Sequence, residues 1–243
     1  MLEYLRHTVG IKPGWRVLDV GAGTGKFTAM LERTGAQVFA AEPVAAMRAR
    51  CATVVESPLV GATAAALPFR TGSLRAVTAA QAFHWFATPD AVAELRRVLA
   101  DDGALVLIWN VRDERTPWVR ELSDLLAPGG ELVPSYKDGE WKQALDRGHA
   151  FGALWHATFD HAQVGPPSFI EDRVGSISYV ASLADGPRAD LLARVRALAE
   201  RNAGPDGQVT LPYRTEVFWT TARSRLPGTW GHGCETPGSL CKR

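Results

Sequence analysis

Val17-Leu18-Asp19-Val20-Gly21-Ala22-Gly23-Thr24-Gly25 is the stretch that decides the fold. The apolar run from Trp15 to Val20 reads as a buried strand. It breaks into glycine at alternate positions. Lys26-Phe27-Thr28-Ala29-Met30-Leu31 then reads as a helix with Phe27, Met30 and Leu31 on one face. A strand, a glycine turn and a helix make the first half of a nucleotide-binding βαβ unit. Residues without a Cβ let backbone N–H groups approach a ligand closely. Two related motifs fit the letters less well. A dinucleotide fingerprint, G-x-G-x-x-G, wants its third glycine one residue later. A Walker loop wants glycine where Val20 stands and a hydroxyl where Phe27 stands.

The second element is Gln37-Val38-Phe39-Ala40-Ala41-Glu42-Pro43, a short strand ending on an acid, with Pro43 set to open the next helix at its first position. Neighbouring ends of a parallel sheet lie side by side. A carboxylate there can accept hydrogen bonds from both hydroxyls of a ribose. The plainer reading of Glu42 is a solvated acid favoured by a helix start.

Taken together, Val17 to Gly25 and Glu42 resemble motif I and the acidic strand end of class I S-adenosylmethionine (SAM)-dependent methyltransferases. The resemblance covers about Gly14 to Arg223. The phrases Gln81-Ala82-Phe83-His84-Trp85-Phe86 and Arg112-Asp113-Glu114-Arg115 look like the small-molecule subgroup called methyltransferase type 11, which is similar to the trans-aconitate methyltransferases. It implies an α/β fold, a doubly wound and mostly parallel sheet with an antiparallel last strand, and SAM as cofactor. By the same resemblance Gly21 and Gly23 let backbone reach the methionine end, Asp19 holds the turn, Glu42 meets the ribose, Thr63 and Ala64 meet the adenine, and Ala22, Pro43 and Gln81 complete the cofactor site. In Gly61-Ala62-Thr63-Ala64-Ala65-Ala66-Leu67-Pro68-Phe69, Thr63 falls where the family meets the adenine amino group, and Ala65 falls where it usually has glutamate. The missing acid implies weaker adenine anchoring, by about 1 kcal/mol. Arg75 stands where the family tends to have aspartate. The family also usually has a segment upstream of the first helix that helps cover the cofactor; the sequence opens at Met1 without it.

Leu2 to Val9 reads as a helix, Val44 to Cys51 as another, and Ala52 to Val55 as a third strand. Leu74 to Ala80 is the fourth strand, and Gln81 to Phe86 lies beyond its carboxyl end, where ligands of open α/β sheets bind. His84 is the neutral-pH base in that stretch. It is the candidate catalytic residue, as a base, as an orienting group, or as a purely structural one. Trp85 offers an apolar wall for a substrate. Thr88-Pro89-Asp90 is an N-cap with proline at the first helical position. Asp101-Asp102-Gly103 is a turn before a buried fifth strand, Ala104 to Trp109. Arg112 or Arg115 can pair with a substrate carboxylate, since a guanidinium fork suits bidentate contact; otherwise the cluster is a solvated loop. Residues 110–150 are expected to form a substrate cap, with helices at Trp118 to Leu126 and around Trp141 and Leu145 and a Gly/Pro loop at Pro128 to Lys137. A strand at Trp155 to Val164, helices at Phe169 to Leu183 and Ala189 to Arg201, and a last strand at Val209 to Thr220 complete a domain of residues 1–223. Residues 224–243, rich in Gly, Pro and Thr, are expected to be a disordered tail.

The 243 residues suit one α/β domain, and 46% hydrophobic content builds a sizeable core. A net charge of +1 favours neither nucleic acid nor an anionic membrane. No apolar run reaches the roughly 18 residues of a membrane span, and the N-terminus lacks a signal-peptide pattern. Cys51, Cys234 and Cys241 include no C-x-x-C pair, so neither a disulfide scaffold nor a metal site is expected. This composition reads as cytoplasmic; the resemblance implies an enzyme, monomeric or homodimeric, acting on a small-molecule methyl acceptor, with oxygen favoured as the acceptor atom. A SAM-binding protein without catalysis and an NAD-dependent oxidoreductase are the alternatives.

Overall fold

The structure, a computed structural model, describes residues 1–127, 139–147 and 149–224. The expected Gly/Pro loop, Cys234 and Cys241, and all but the first residue of the expected tail lie outside them.

The chain opens with α1 (Leu2–Tyr4), which runs on as a π-helical turn, Leu5–Val9. Then come β1 (Arg16–Val20), α2 (Lys26–Glu32), β2 (Gln37–Ala41), α3 (Ala45–Cys51), β3 (Leu59–Val60) and β4 (Leu74–Ala80). A short 3-10 turn, Phe83–Trp85, leads to α4 (Pro89–Val98), β5 (Leu99–Arg112), α5 (Pro117–Leu126) and α6 (Glu140–Arg147). The last elements are β6 (Trp155–Gly165), α7 (Pro167–Gly175), α8 (Ser178–Ala181), α9 (Asp185–Arg201) and β7 (Val209–Thr221). The seven strands form one sheet in the order β3-β2-β1-β4-β5-β7-β6. β1 to β5 are parallel, and β7 runs antiparallel to both β5 and β6.

Burial on both faces explains the apolar strands. On one face α4, α6 and the 3-10 turn pack on β4 and β5 through Phe83, Leu95, Trp109 and Trp141. On the other face the π-helical turn and α2 bring Leu5, Val9 and Leu31 onto Val17, Val38 and Val106. A further core joins α5, α7 and α9 to the start of β7, around Val119, Ile170, Val195 and Leu211. The 110–150 stretch therefore divides. α5 joins α7 and α9, while Trp141 of α6 stacks on Trp109 with ring centroids 4.7 Å apart. Among the described residues no helix is long and apolar enough to cross a membrane.

Several elements depart from their expected bounds. Ala52 to Val55 is a turn, with Val54 and Val55 N–H both donating to the Cys51 carbonyl. The third strand forms later, at Leu59–Val60, where Pro58 and Val60 carbonyls accept the Ala40 and Glu42 N–H groups. β5 starts earlier than expected. Its ladder jumps from Leu74–Leu99 to Ala76–Ala104, so the expected Asp101-Asp102-Gly103 turn is a bulge inside the strand, with Asp102 at φ +60°. The helix expected at Phe169 to Leu183 breaks after Gly175, a poor helix residue. Pro43 does not open α3; Val44 is its N-cap. Arg75, unexplained by the family pattern, lies outward over Trp15, with its guanidinium 5.1 Å from the ring centroid.

Candidate functional site

The strand order reverses between β1 and β4, and the carboxyl ends of these strands form the crevice where ligands of such sheets bind. The loop after β1 enters it. Gly21 and Ala22 both donate their N–H groups to the Ala41 carbonyl, at 2.8 and 3.1 Å, which ties the loop to β2. These two amides are therefore spent on the fold. Gly21 is required by packing, since a Cβ there would lie 2.6 Å from the Ala82 Cβ. Gly23 differs. No atom lies within 4 Å of where its Cβ would be, so its surface is open.

Glu42 follows β2 and is 5% exposed, and each of its carboxylate oxygens accepts one backbone N–H. Oε2 accepts the Gly23 N–H at 2.8 Å, and Oε1 accepts the Val44 N–H at 2.9 Å. Each oxygen keeps a second lone pair for a donor from the crevice. Asp19, one residue before the end of β1, is 1% exposed. It accepts Thr28 Oγ1–H from α2 at 2.6 Å and Thr78 Oγ1–H from β4 at 2.9 Å. Burial pushes its carboxyl up to about 6, against the pull of those two hydroxyls. Asp19 thus ties the strand to the elements on either side of the loop.

Thr63 is exposed and its carbonyl accepts the Ala66 N–H, closing a tight turn, while the side chain of Ala64 is buried beneath it. Gln81 sits just past β4 with φ +57°. Its N–H donates to the Ile108 carbonyl and its Nε2 to the Asn110 carbonyl, both at 2.8 Å, so it fastens β4 to β5 at the crevice. Trp85 is 58% exposed and lies beside His84, ring centroids 5.3 Å apart.

His84 is half-buried, and Trp109 Nε1–H donates to its Nδ1 at 3.1 Å. An indole nitrogen can only donate, so Nδ1 carries the lone pair and neutral His84 carries its proton on Nε2. A base at Nε2 needs that position empty. The geometry makes the neutral ring a donor there.

Arg112 ends β5, half-buried, with Nε 3.3 Å from Ser123 Oγ. Burial holds its guanidinium below the usual range. Arg115 is spent elsewhere, 2.6 Å from Asp113 and 3.3 Å from Asp160. Of the two candidate arginines, only Arg112 stays clear of an ion pair among the described residues.

The sequence and the fold have counterparts. The methyltransferase-domain family profile matches residues 18–107, the stretch from the middle of β1 into β5. An uncharacterized methyltransferase of Mycobacterium tuberculosis is 35% identical over 205 residues, covering 82% of this chain and 80% of its own. The chain belongs to the methyltransferase family. The YcgJ protein of Bacillus subtilis shares the fold at 20% identity and a TM-score of 0.60, covering 92% of this chain and 98% of that one. Phosphoethanolamine N-methyltransferase 2 of Haemonchus contortus, solved in complex with S-adenosyl-L-methionine, has a TM-score of 0.53 at 15% identity, covering 92% of this chain and 52% of that one.

Gly23 thus leaves an open face beside the Glu42 carboxylate that accepts its N–H. Three site residues escaped sequence reading. Thr28 and Thr78 hold Asp19; a threonine inside the apolar run Leu74–Ala80 is the kind of signal that marks a buried hydrogen bond. Trp109, which sets the His84 tautomer, reads in sequence only as the apolar end of a strand.

Proposed function

We propose that this methyltransferase uses S-adenosylmethionine to methylate a small organic molecule, with oxygen as the favoured acceptor atom. The observation that carries the reading is the Glu42 carboxylate lodged against the Gly23 amide. The same two groups that the fold brings together are those that would grip an adenosyl ligand. Glu42 would accept from the ribose, Gly23 and Asp19 would shape the methionine end, and Pro43, Thr63 and Ala64 would line the base. Gly21 and Ala22 contribute the turn rather than free amides, and Gln81 keeps the β4 and β5 ends together.

When bound, SAM supplies an electrophilic methyl whose leaving group is a neutral thioether. The chain's own task is mainly alignment of the nucleophile at ~3–3.5 Å. His84 supports this reading as an N–H donor that orients the acceptor. A site with a donor there suits a nucleophile that arrives without a proton, such as a carboxylate. Trp85 supplies an apolar wall, and Arg112 an anchor for an acidic group. The α5, α7 and α9 core would cover the substrate.

Calorimetric titration with SAM, with NAD as the comparison, tests the cofactor, and transfer of labelled methyl from SAM to a metabolite extract tests the reaction. Binding of SAM without any transfer would favour the non-catalytic alternative. Failure to bind SAM would sink the assignment.

A further inference from the structure

Arg112 and Tyr213 are register partners across β5 and β7, so their side chains share one face of the sheet. α7 brings a second arginine to that tyrosine. Arg173 Nη2 donates to the Tyr213 hydroxyl at 3.2 Å, and its guanidinium carbon lies 5.8 Å from the ring centroid. Two guanidinium groups thus converge on one buried phenol from two different elements. Their only hydrogen bonds among the described residues go to the hydroxyls of Ser123 and Tyr213.

Several other arginines of this region have carboxylates, whereas Arg188 Nε is buried without a hydrogen-bond partner among the described residues. Arg115 has Asp113, Arg214 has Glu216, Arg196 has Glu171 and Glu200, and Arg201 has Glu121. Arg112 and Arg173 have none among the described residues. Glu114 lies near enough to favour the Arg112 charge without forming an ion pair with it, and Arg173 opposes that charge. Half-buried like charges without a counter-ion are costly, and folded proteins normally pair them. The Tyr213 hydroxyl accepts from Arg173, so its own O–H is left to donate. Arginine forks and a phenol O–H together form a donor set for an oxyanion.

We propose that Arg112 and Arg173, on either side of Tyr213, form an oxyanion subsite for the methyl acceptor, which therefore carries a carboxylate or phosphate group. This rests on the small-molecule methyltransferase reading above. The position fits it. Arg112 lies two residues, about 7 Å of strand, beyond Asn110, whose carbonyl holds Gln81 at the crevice. Ser123 and Arg173 belong to α5 and α7, the helices of the core set over that end of the sheet. An anion held there would tie those helices to β5 and β7 at the moment of substrate binding.

The test titrates the full chain, with S-adenosylhomocysteine present, against inorganic phosphate, succinate and the neutral succinamide, by calorimetry. Either anion should bind and succinamide should not; phosphate alone points to a phosphomonoester acceptor, succinate alone to a carboxylic acid. Arg173→Gln should weaken anion binding by about tenfold or more, as expected for loss of a charge-assisted pair. Arg173→Lys, which keeps the charge and loses the fork, should fall between them. Arg201→Gln, at a surface ion pair, should change nothing. Absence of anion binding to the wild type, equal binding of succinamide, or an equal loss in Arg201→Gln would overturn the subsite. S-adenosylhomocysteine affinity, read in the same titrations, should survive Arg173→Gln. If it is absent from the wild type while anions still bind, the cofactor reading fails and the subsite stands.

Discussion

The Glu42 carboxylate accepts the Gly23 amide at 2.8 Å, joining the end of β2 to the glycine loop of β1. One side chain thus holds the loop in shape and keeps a spare lone pair on each oxygen. Glu42→Ala should weaken SAM binding by about 1–3 kcal/mol. The same change should also lower stability, since the Gly23 and Val44 amides lose their acceptor. Calorimetry and urea unfolding separate the two effects. An unaltered dissociation constant would remove Glu42 from the cofactor site.

Asp19 makes stability depend on pH. Its folded pKa, about 6, lies above the model-peptide value of 3.8, so between those values the folded state binds more protons than the unfolded one. The contribution of Asp19 to stability is therefore full below about pH 4, declines as pH rises towards 6, and is lost above it. The whole swing is about 3 kcal/mol. Asp19→Asn, in which the Thr28 hydroxyl can turn to accept, should gain on the wild type by up to that amount across this window. Urea midpoints measured from pH 4 to 7 would show it; a constant difference between the two proteins would refute the shifted carboxyl.

The Trp109–His84 contact separates two roles for the histidine. His84→Ala should cut turnover by about tenfold or more with SAM affinity intact. His84→Gln, which can still donate an N–H, should retain part of the activity if the ring is a donor. Equal loss in both variants, measured by labelled methyl transfer, would point to a base.

Gly21 carries φ +70° and leaves no room for a Cβ beside Ala82. Gly21→Ala should cost about 1–2 kcal/mol from the left-handed backbone and about 1–3 more from overpacking. Adding Ala82→Gly should recover the packing part alone. Unchanged denaturant midpoints in the single variant would contradict this.

Much of the fold was legible because its signals are local. The apolar run into Gly21-Ala22-Gly23-Thr24-Gly25, the Thr88-Pro89 helix start and the run Leu74–Ala80 each state their own conformation through nearest neighbours. Elements set by distant partners were misplaced. β3 forms where β2's edge groups find Pro58 and Val60, and the start of β5 is drawn into the ladder beside Leu74. The stretch after β5 reads as one insertion. Its helices separate because Trp141 finds Trp109, whereas Val119 and Leu122 join the core with Val195 and Leu211.

The order of residues alone determined that a glycine turn follows a buried strand and that an acid ends the next one, since spacing and residue type are properties of the chain. Only the tertiary structure decided which amides remain open, which nitrogen of His84 bears the proton, and that Arg112 meets Arg173 across Tyr213. Those outcomes depend on hydrogen bonds and charges between residues far apart in sequence, and such pairings exist only once the sheet has aligned its strands.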